Sequence, residues 1–440
     1  MHSWWSMKES KYSTYEVVSV ARQKLCGDKV FDPADTQHML AILGQRFGLE
    51  ICFGHPEAVE HVESGVASRL RICLTTTEDR TWSFTCYPSE PFLSCIAASI
   101  LHGSTDTLYI CLRSLQKKVY NGMISIDQAG ELASRMLWLL AKDFLVRAQG
   151  KNLFFTDSPI PDWSATLNDC RMVPLMGYLE HVFGKQNWPP KALEAFKDAY
   201  INFSHWLDMD ENIGTKDPNE VRYDLLTESR SSKTLMNTSS EIWTLRHWQR
   251  TSALQCCHNQ PTVDKMIPVY FKPKDDSSAP GRVSQIFISD RVQSRSNKYK
   301  LRNISRRDST INCASSDPYV AIVVDLGKSD HAFEAKWKKV DTNDAYSLRI
   351  YAAGINATTF PFLTRHPYII ETLRRIVSPP KSPAQQGLQD KVKFGSTCTE
   401  PHLFWEGNEN EERTDENMGT DGEKSVDEEE DMDEDMDERD

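Results

Sequence analysis

Residues Glu241–Pro273 read EIWTLRHWQRTSALQCCHNQPTVDKMIPVYFKP, and after a polar turn residues Gly281–Lys300 read GRVSQIFISDRVQSRSNKYK. The first stretch predicts a helix over 241–258, capped by Ser239 or Ser240, and then a strand that opens on Asp264. The second predicts another strand, rich in apolar β-formers at Ile286, Phe287 and Ile288, that ends on Ser289, Asp290 and Arg291. A basic segment follows it directly. Carboxylate at one strand, charged triplet at the end of the next: this pair of strands sets the expected architecture of the second half of the chain.

Working outward, Tyr319–Asp325 (YVAIVVD) is a β-branched run bounded by Asp317-Pro318 and Gly327, which predicts a central strand. Tyr346–Ala353 alternates and predicts another, and Pro367–Val377 a closing helix. Residues 241–377 are therefore expected to form an α/β domain on a central mixed sheet. Upstream, helices are expected over Tyr15–Leu25, Asp35–Phe47, the proline-led stretch PSEPFLSCIAASIL (88–101), Ile126–Val146, Pro174–Phe183 and Pro190–Leu207. A hairpin is expected between Leu70–Thr76 and Trp82–Tyr87. The fold class is α+β: a flexible leader (1–13), a mainly helical domain (14–207), a polar connector (208–240), the α/β domain (241–377), a linker (378–406) and a disordered acidic tail (407–440).

The chain has 440 residues, of which 63 are acidic and 51 basic. Residues 407–440 hold 18 of the acidic and three of the basic residues, so residues 1–406 carry 45 and 48 and are nearly neutral. The eleven cysteines are odd in number, irregularly spaced and without a CxxC pair, which argues against a disulfide framework or a zinc site built on paired cysteines. No apolar run approaches the ~18 residues of a membrane span. The expectation is an intracellular protein, cytoplasmic or nuclear, without a membrane partner.

Gly327-Lys328-Ser329 has the end of a phosphate loop without its beginning, because Ile322 stands where the first glycine belongs. Cys256-Cys257-His258 offers three ligand types in a row, but successive helical side chains diverge by roughly 100° and do not converge on one ion. His205, in NFSHW, is expected to be a packed or hydrogen-bonded histidine. The strand pair is more informative. Metal-dependent phosphodiester cleavage needs a carboxylate to hold Mg²⁺, a second acidic or amide oxygen, and a lysine near the attacked phosphate. Asp264 is placed for the first role. Ser289 and Arg291 stand where Glu or Gln and Lys would serve. Serine is a poor Mg²⁺ ligand and arginine does not shed a proton, although it can clamp a phosphate. By alternation Asp290 can point to the opposite face. Glu241 is the acid available from the preceding helix.

From Arg282 to Arg307 eight basic residues (Arg282, Arg291, Arg295, Lys298, Lys300, Arg302, Arg306, Arg307) meet one acid, Asp290. That run can track a phosphate backbone, with Tyr299 available to stack on a base. The acidic tail is then a polyanion on the same chain as its own basic target, and it also suits basic protein partners. Deleting residues 407–440 is expected to raise nucleic-acid affinity at low salt, and an unchanged affinity in an anisotropy titration would rule the competition out.

The stretches ARQKLCG (21–27), YPSEPFL (87–93), GELASRMLWLLAKD (130–143), DAYINFSHW (198–206), ALQCCHNQPTVDKMIPVYF (253–271) and SDPYVAIVVDLG (316–327) resemble a large, mostly uncharacterised group of proteins expanded in mushroom-forming fungi. Longer members look like Crinkler-type proteins, with an upstream P-loop NTPase, helical linking regions and a C-terminal domain similar to the PD-(D/E)XK restriction-endonuclease fold, whose second strand ends in a QVK-like triplet. The resemblance implies a nuclease-like fold with Asp264 as the matching active-site position, and Mg²⁺ as cofactor if that site is active. The chain lacks the P-loop and departs at Ser289 and Arg291. The expected function is therefore a nuclease-like nucleic-acid-binding protein with a degenerate metal site. The alternatives are a weak Mg²⁺-dependent nuclease using Asp264, Glu241 and Arg291, or an interaction module whose tail binds basic partners.

Overall fold

The structure is a computed structural model that describes residues 14–27, 29–49, 51, 56–76, 83–124, 129–149, 171–208, 243–256, 263–273, 282–292, 304, 317–340 and 345–378. Among the described residues six helices come first: α1 (Thr14–Leu25), α2 (Thr36–Phe47), α3 (Pro56–Ser68), α4 (Pro91–Leu101), α5 (Thr105–Tyr120) and α6 (Ala129–Gln149). Between α3 and α4 lies the hairpin β1 (Ile72–Thr76) and β2 (Ser83–Cys86), antiparallel as expected. Local chemistry sets several helix ends. Asp35 accepts hydrogen bonds from the backbone N–H of Gln37 and His38 and caps α2, which stops at Gly48 in the left-handed region (φ 58°). Pro91 opens α4, where its missing N–H costs nothing.

After α6 come β3 (Val173–Pro174), α7 (Leu175–Phe183), α8 (Pro190–Ala195), β4 (Ala199–Ile201), β5 (His205–Asp208), α9 (243–249), β6 (Ser252–Gln255), β7 (Lys265–Phe271), β8 (Arg282–Arg291), β9 (Tyr319–Asp325), β10 (Ala332–Lys338), β11 (Ser347–Ala353) and α10 (Pro367–Val377). The strands from β3 onward make one mixed sheet in the order β10-β11-β9-β8-β7-β4-β3. β6 joins β7 on the same side as β4, and β5 pairs with β6. β7 and β8 are antiparallel, while β8, β9 and β11 run parallel. The α+β class holds, with helices in the N-terminal half and the mixed sheet in the C-terminal half.

Both faces of the central strands are buried, which is why Tyr319–Asp325 is an unbroken apolar run ending in one acid. One face (Ile267, Ile286, Ile288, Val320, Ile322, Val324) belongs to the main core with the helices, and the other (Met266, Phe287, Tyr319, Ala321, Val323) to a smaller cluster. α6 is the central helix of the main core. Met136, Trp138, Leu139 and Leu140 are fully buried, and so are Arg135, Lys142 and Asp143. No single helix among the described residues is long and apolar enough to cross a membrane.

Three expectations change. The helix 190–207 ends at Ala195, and Ala199–Ile201 and His205–Asp208 are strands, because pairing to β7 and β6 overrides local propensity. The helix 241–258 ends before Thr251, whose positive φ (50°) breaks it, and Ser252–Gln255 become a strand. All four of those residues are buried, a pattern that periodicity does not separate from a buried helix. The boundary at 208–240 does not divide two cores: β3, β4 and β5 from the first half complete the sheet of the second, and one apolar core runs from Ala21 to Val377. The leader 1–13, the connector 208–240 apart from its first residue, most of the linker and the tail 407–440 lie outside the described residues.

Candidate functional site

The end of β6, the start of β7, the ends of β8 and β9, and the first turns of α6 meet at one end of the sheet. The β7–β8 ladder opens with Lys265 paired to Ile288, and Asp264 stands just before it, at the end of β8. One backbone and one side-chain hydrogen bond hold it there: Asp264 N–H donates to Ile288 O (2.9 Å), and Asp290 N–H donates to Asp264 Oδ2 (2.6 Å). Alternation then sorts the side chains. Ser289 and Arg291 share the face of Phe287, and Asp290 shares the opposite, helix-covered face with Ile286 and Ile288.

On that covered face the Lys265 ammonium, wholly buried, forms an ion pair with Asp290 Oδ2, and Ser134 Oγ on α6 donates to Asp290 Oδ1 (2.7 Å). One turn earlier on α6, Glu131 Oε2 accepts from Gln255 Nε2 (2.9 Å), which also donates to Asp264 O (2.9 Å). Gln255 is 3% exposed, and its Oε1 has no hydrogen-bond partner among the described residues. Small residues permit the convergence. A Cβ on Gly130 would sit 2.1 Å from the Val292 side chain, and one on Gly327 would sit 1.9 Å from Val292 O. The start of α6 and the end of β9 thus close on the end of β8, where Leu326 N–H (2.7 Å) and Gly327 N–H (3.2 Å) both donate to Arg291 O.

Electrostatics single out Asp264. Burial first, then the neighbouring Asp290 and the more distant Glu131, push its carboxyl up to about 7; Lys265 and the Asp290 N–H oppose them. On the neighbouring strand Asp325 is fully buried, with Tyr351 Oη donating to its Oδ2 (3.4 Å) and Lys328 Nζ 3.6 Å away. Lys328 therefore serves Asp325 and Tyr351 (3.1 Å) at the end of β9.

The donor set does not fit Mg²⁺. Both oxygens of Asp290 are engaged by Lys265 and Ser134, and one oxygen of Asp264 by a backbone N–H. Ser289 and Arg291 place a hydroxyl and a cation where anionic donors belong. Among the described residues no group of three His, Cys, Asp or Glu side chains is arranged to hold a metal ion.

Of the residues singled out by sequence, Asp264, Ser289 and Arg291 come together at this end of the sheet. Arg282 is at the far end of β8, nine residues or roughly 30 Å away, and is paired with Asp317. Glu241, Arg295, Lys298, Tyr299, Lys300, Arg302, Arg306 and Arg307 lie outside the described residues, as do Cys257 and His258; Cys256 is buried. His205 is a hydrogen-bonded core residue, with Ser89 Oγ 2.9 Å from Nε2 and Ser204 Oγ 3.1 Å from Nδ1. Sequence reasoning missed Glu131, Ser134 and Lys265. The first two lie in GELASRMLWLLAKD, where the apolar stripe drew attention. A lone lysine opening the otherwise apolar strand KMIPVYF was the available signal for the third.

Residues 32–155 match a family model described as a domain of unknown function, DUF8736. The matched span includes α6 with Glu131 and Ser134 and ends before Asp264, Lys265 and Asp290. No curated protein matches the chain, and no solved structure does. The chain is thus similar to that family across its helical half, up to the helix that brings Glu131 and Ser134 to the site.

Proposed function

We propose that the protein binds nucleic acid through the phosphate backbone, on a nuclease-like strand pair that does not cleave. One observation supports the reading: Asp264 stands at the end of β8, hydrogen-bonded to the Asp290 N–H between Ser289 and Arg291, so a carboxylate lies beside the triplet while the second acid and the lysine of such a site are replaced. A guanidinium at the strand end suits a phosphodiester, as a forked donor pair that stays charged at any working pH. The basic run that continues from Arg291 adds sequence-independent charge. In this reading Asp264 fixes the end of β8 through the Asp290 N–H rather than holding a metal.

The test is an anisotropy titration of single- and double-stranded oligonucleotides over a salt series. Binding is expected to weaken steeply with salt, and Arg291→Ala is expected to lower affinity for all sequences alike and reduce the salt slope by about one. The same samples with Mg²⁺ should leave the oligonucleotides intact. Salt-independent or absent binding overturns the proposal. Mg²⁺-dependent cleavage lost in Asp264→Ala would replace it with the nuclease.

A further inference from the structure

Asp325, Tyr351 and Lys328 form a relay at the carboxyl ends of the parallel strands β9 and β11. Asp325 ends β9 and is fully buried. Tyr351 Oη donates to Asp325 Oδ2 (3.4 Å), and Lys328 Nζ donates in turn to Tyr351 Oη (3.1 Å). The ammonium also lies 3.6 Å from Asp325 Oδ2, within ion-pair range. Its two anchors are buried, yet the Lys328 side chain keeps 28% of its surface exposed. An ammonium has three N–H groups, and among the described residues Lys328 gives one of them to a protein acceptor.

The register sets this relay beside Arg291. Arg291 pairs with Asp325, and Asp325 with Ala353, on strands that lie ~4.8 Å apart. The chain leaving β9 then bonds to the end of β8, because Leu326 N–H and Gly327 N–H both donate to Arg291 O. Lys328 is the next residue. The faces agree as well. Tyr351 packs in the smaller cluster with Phe287 and Val323, on the face that Ser289 and Arg291 share by alternation, and Lys328 reaches Tyr351 there. The turn after β11 holds the same loop: Gly354 N–H donates to Asp325 O (3.0 Å) and Asn356 Nδ2 to Ser329 O (3.3 Å). A guanidinium and a held ammonium thus leave the same end of the sheet on one face, outside the carboxyl ends of parallel strands, where open sheets take their ligands.

We infer that Lys328 is a second phosphate contact beside Arg291, positioned by Tyr351 and Asp325, so that the nucleic-acid surface extends from β8 to the end of β9. The inference rests on the reading of Arg291 given above and adds a residue and its supports to it. Asp325 has a clear part in this: a carboxylate beneath the ammonium offsets the like charge of the neighbouring guanidinium. Gly327-Lys328-Ser329 then meets phosphate through a side chain and not through a cradle of backbone N–H groups, since those of Leu326 and Gly327 are given to Arg291 O. A lysine acts there as a point charge, which suits a contact that carries no sequence information.

The experiment is an anisotropy titration of the full chain with a labelled mixed-sequence oligonucleotide, single-stranded and as a duplex, over a salt series. Lys328→Gln is expected to weaken binding to every sequence and to lower the salt slope by about one, and Lys328→Gln/Arg291→Ala by about two. Lys328→Arg is expected to keep the wild-type slope. Tyr351→Phe, which keeps the ring, tests the positioning: it is expected to weaken binding in the wild-type background and to change nothing further in Lys328→Gln, a coupling that a loss of stability alone would not produce. Melting curves confirm that each variant is folded at the titration temperature. A Lys328→Gln with the wild-type slope, where Arg291→Ala loses one unit, overturns the inference and leaves the reading of Arg291 standing. Wild type that shows no salt-dependent binding overturns both.

Discussion

Asp264→Asn is expected to stabilise the protein at pH 8 and to leave it almost unchanged at pH 4. In the folded chain the Asp264 carboxyl is held up at about 7 from an ordinary 3.8, chiefly by burial and by the Asp290 charge. Between those values the native state keeps a proton that the unfolded state has lost. The sign follows: the contribution is full below about pH 4 and is lost as pH rises through 7. Holding a carboxyl that far above its ordinary value corresponds to about 4 kcal/mol, and the part of Asp264 that still meets solvent trims this to roughly 2–4 kcal/mol. Asparagine keeps the acceptor for the Asp290 N–H and carries no charge to bury. The variant's melting temperature should therefore exceed wild type's by roughly 4–8 °C at pH 8, with the gap closing towards pH 4. A gap of the same size at both pH values, or a lower melting temperature at pH 8, would sink the assignment. A group that costs stability at neutral pH without adding packing is what a retained site looks like in physical terms, since a purely structural position would be relieved by the neutral isostere.

What the sequence disclosed and what it hid follow from the range of the forces involved. Strands β7, β8 and β9 were legible because each is a short β-branched or aromatic run, and the pairing of β7 with β8 brings Asp264 to the end of β8. β6 was not legible: Ser252–Gln255 has the composition of a buried helix turn, and only the left-handed Thr251 and the strands on either side make it extended. β10 was missed for the opposite reason, since AFEAKWK buries one side only in part at the sheet's edge and carries lysines that suit an unpaired edge. The site divides the same way. Asp264 could be named from its neighbours in sequence. Glu131 and Ser134 reach it from more than a hundred residues away, and no local pattern on α6 distinguishes an acid that serves the sheet from one that faces water. Lys265 was adjacent to a named residue and still hidden, because its meaning depends on Asp290 sharing its face.

Asp143→Ala is expected to be the most damaging single change in the helical half, costing about 3–5 kcal/mol. Asp143 lies on α6 at 1% exposure and receives both Arg46 from α2, whose Nη2 reaches both carboxylate oxygens, and His102 Nε2 from the end of α4 (2.8 Å). Burial alone would push its carboxyl up, yet Arg46 and the His102 hydrogen bond hold it well below the usual range, so the native state commits to the charge. Arg46 also donates to the Ser204 carbonyl just before β5, so one guanidinium ties α2 and α6 to the sheet. Removing the carboxylate leaves a fully buried guanidinium without its counter-charge, and the loss is dominated by that orphaned cation rather than by the missing contact. The double variant Arg46→Met/Asp143→Leu separates the two. It removes both charges and restores apolar volume, and it should be markedly more stable than Asp143→Ala alone. Urea unfolding of the single and double variants measures the difference through the midpoint at a shared slope. If the double variant is as unstable as the sum of its singles, Arg46 and Asp143 act independently and the helical half is held together by its apolar packing alone.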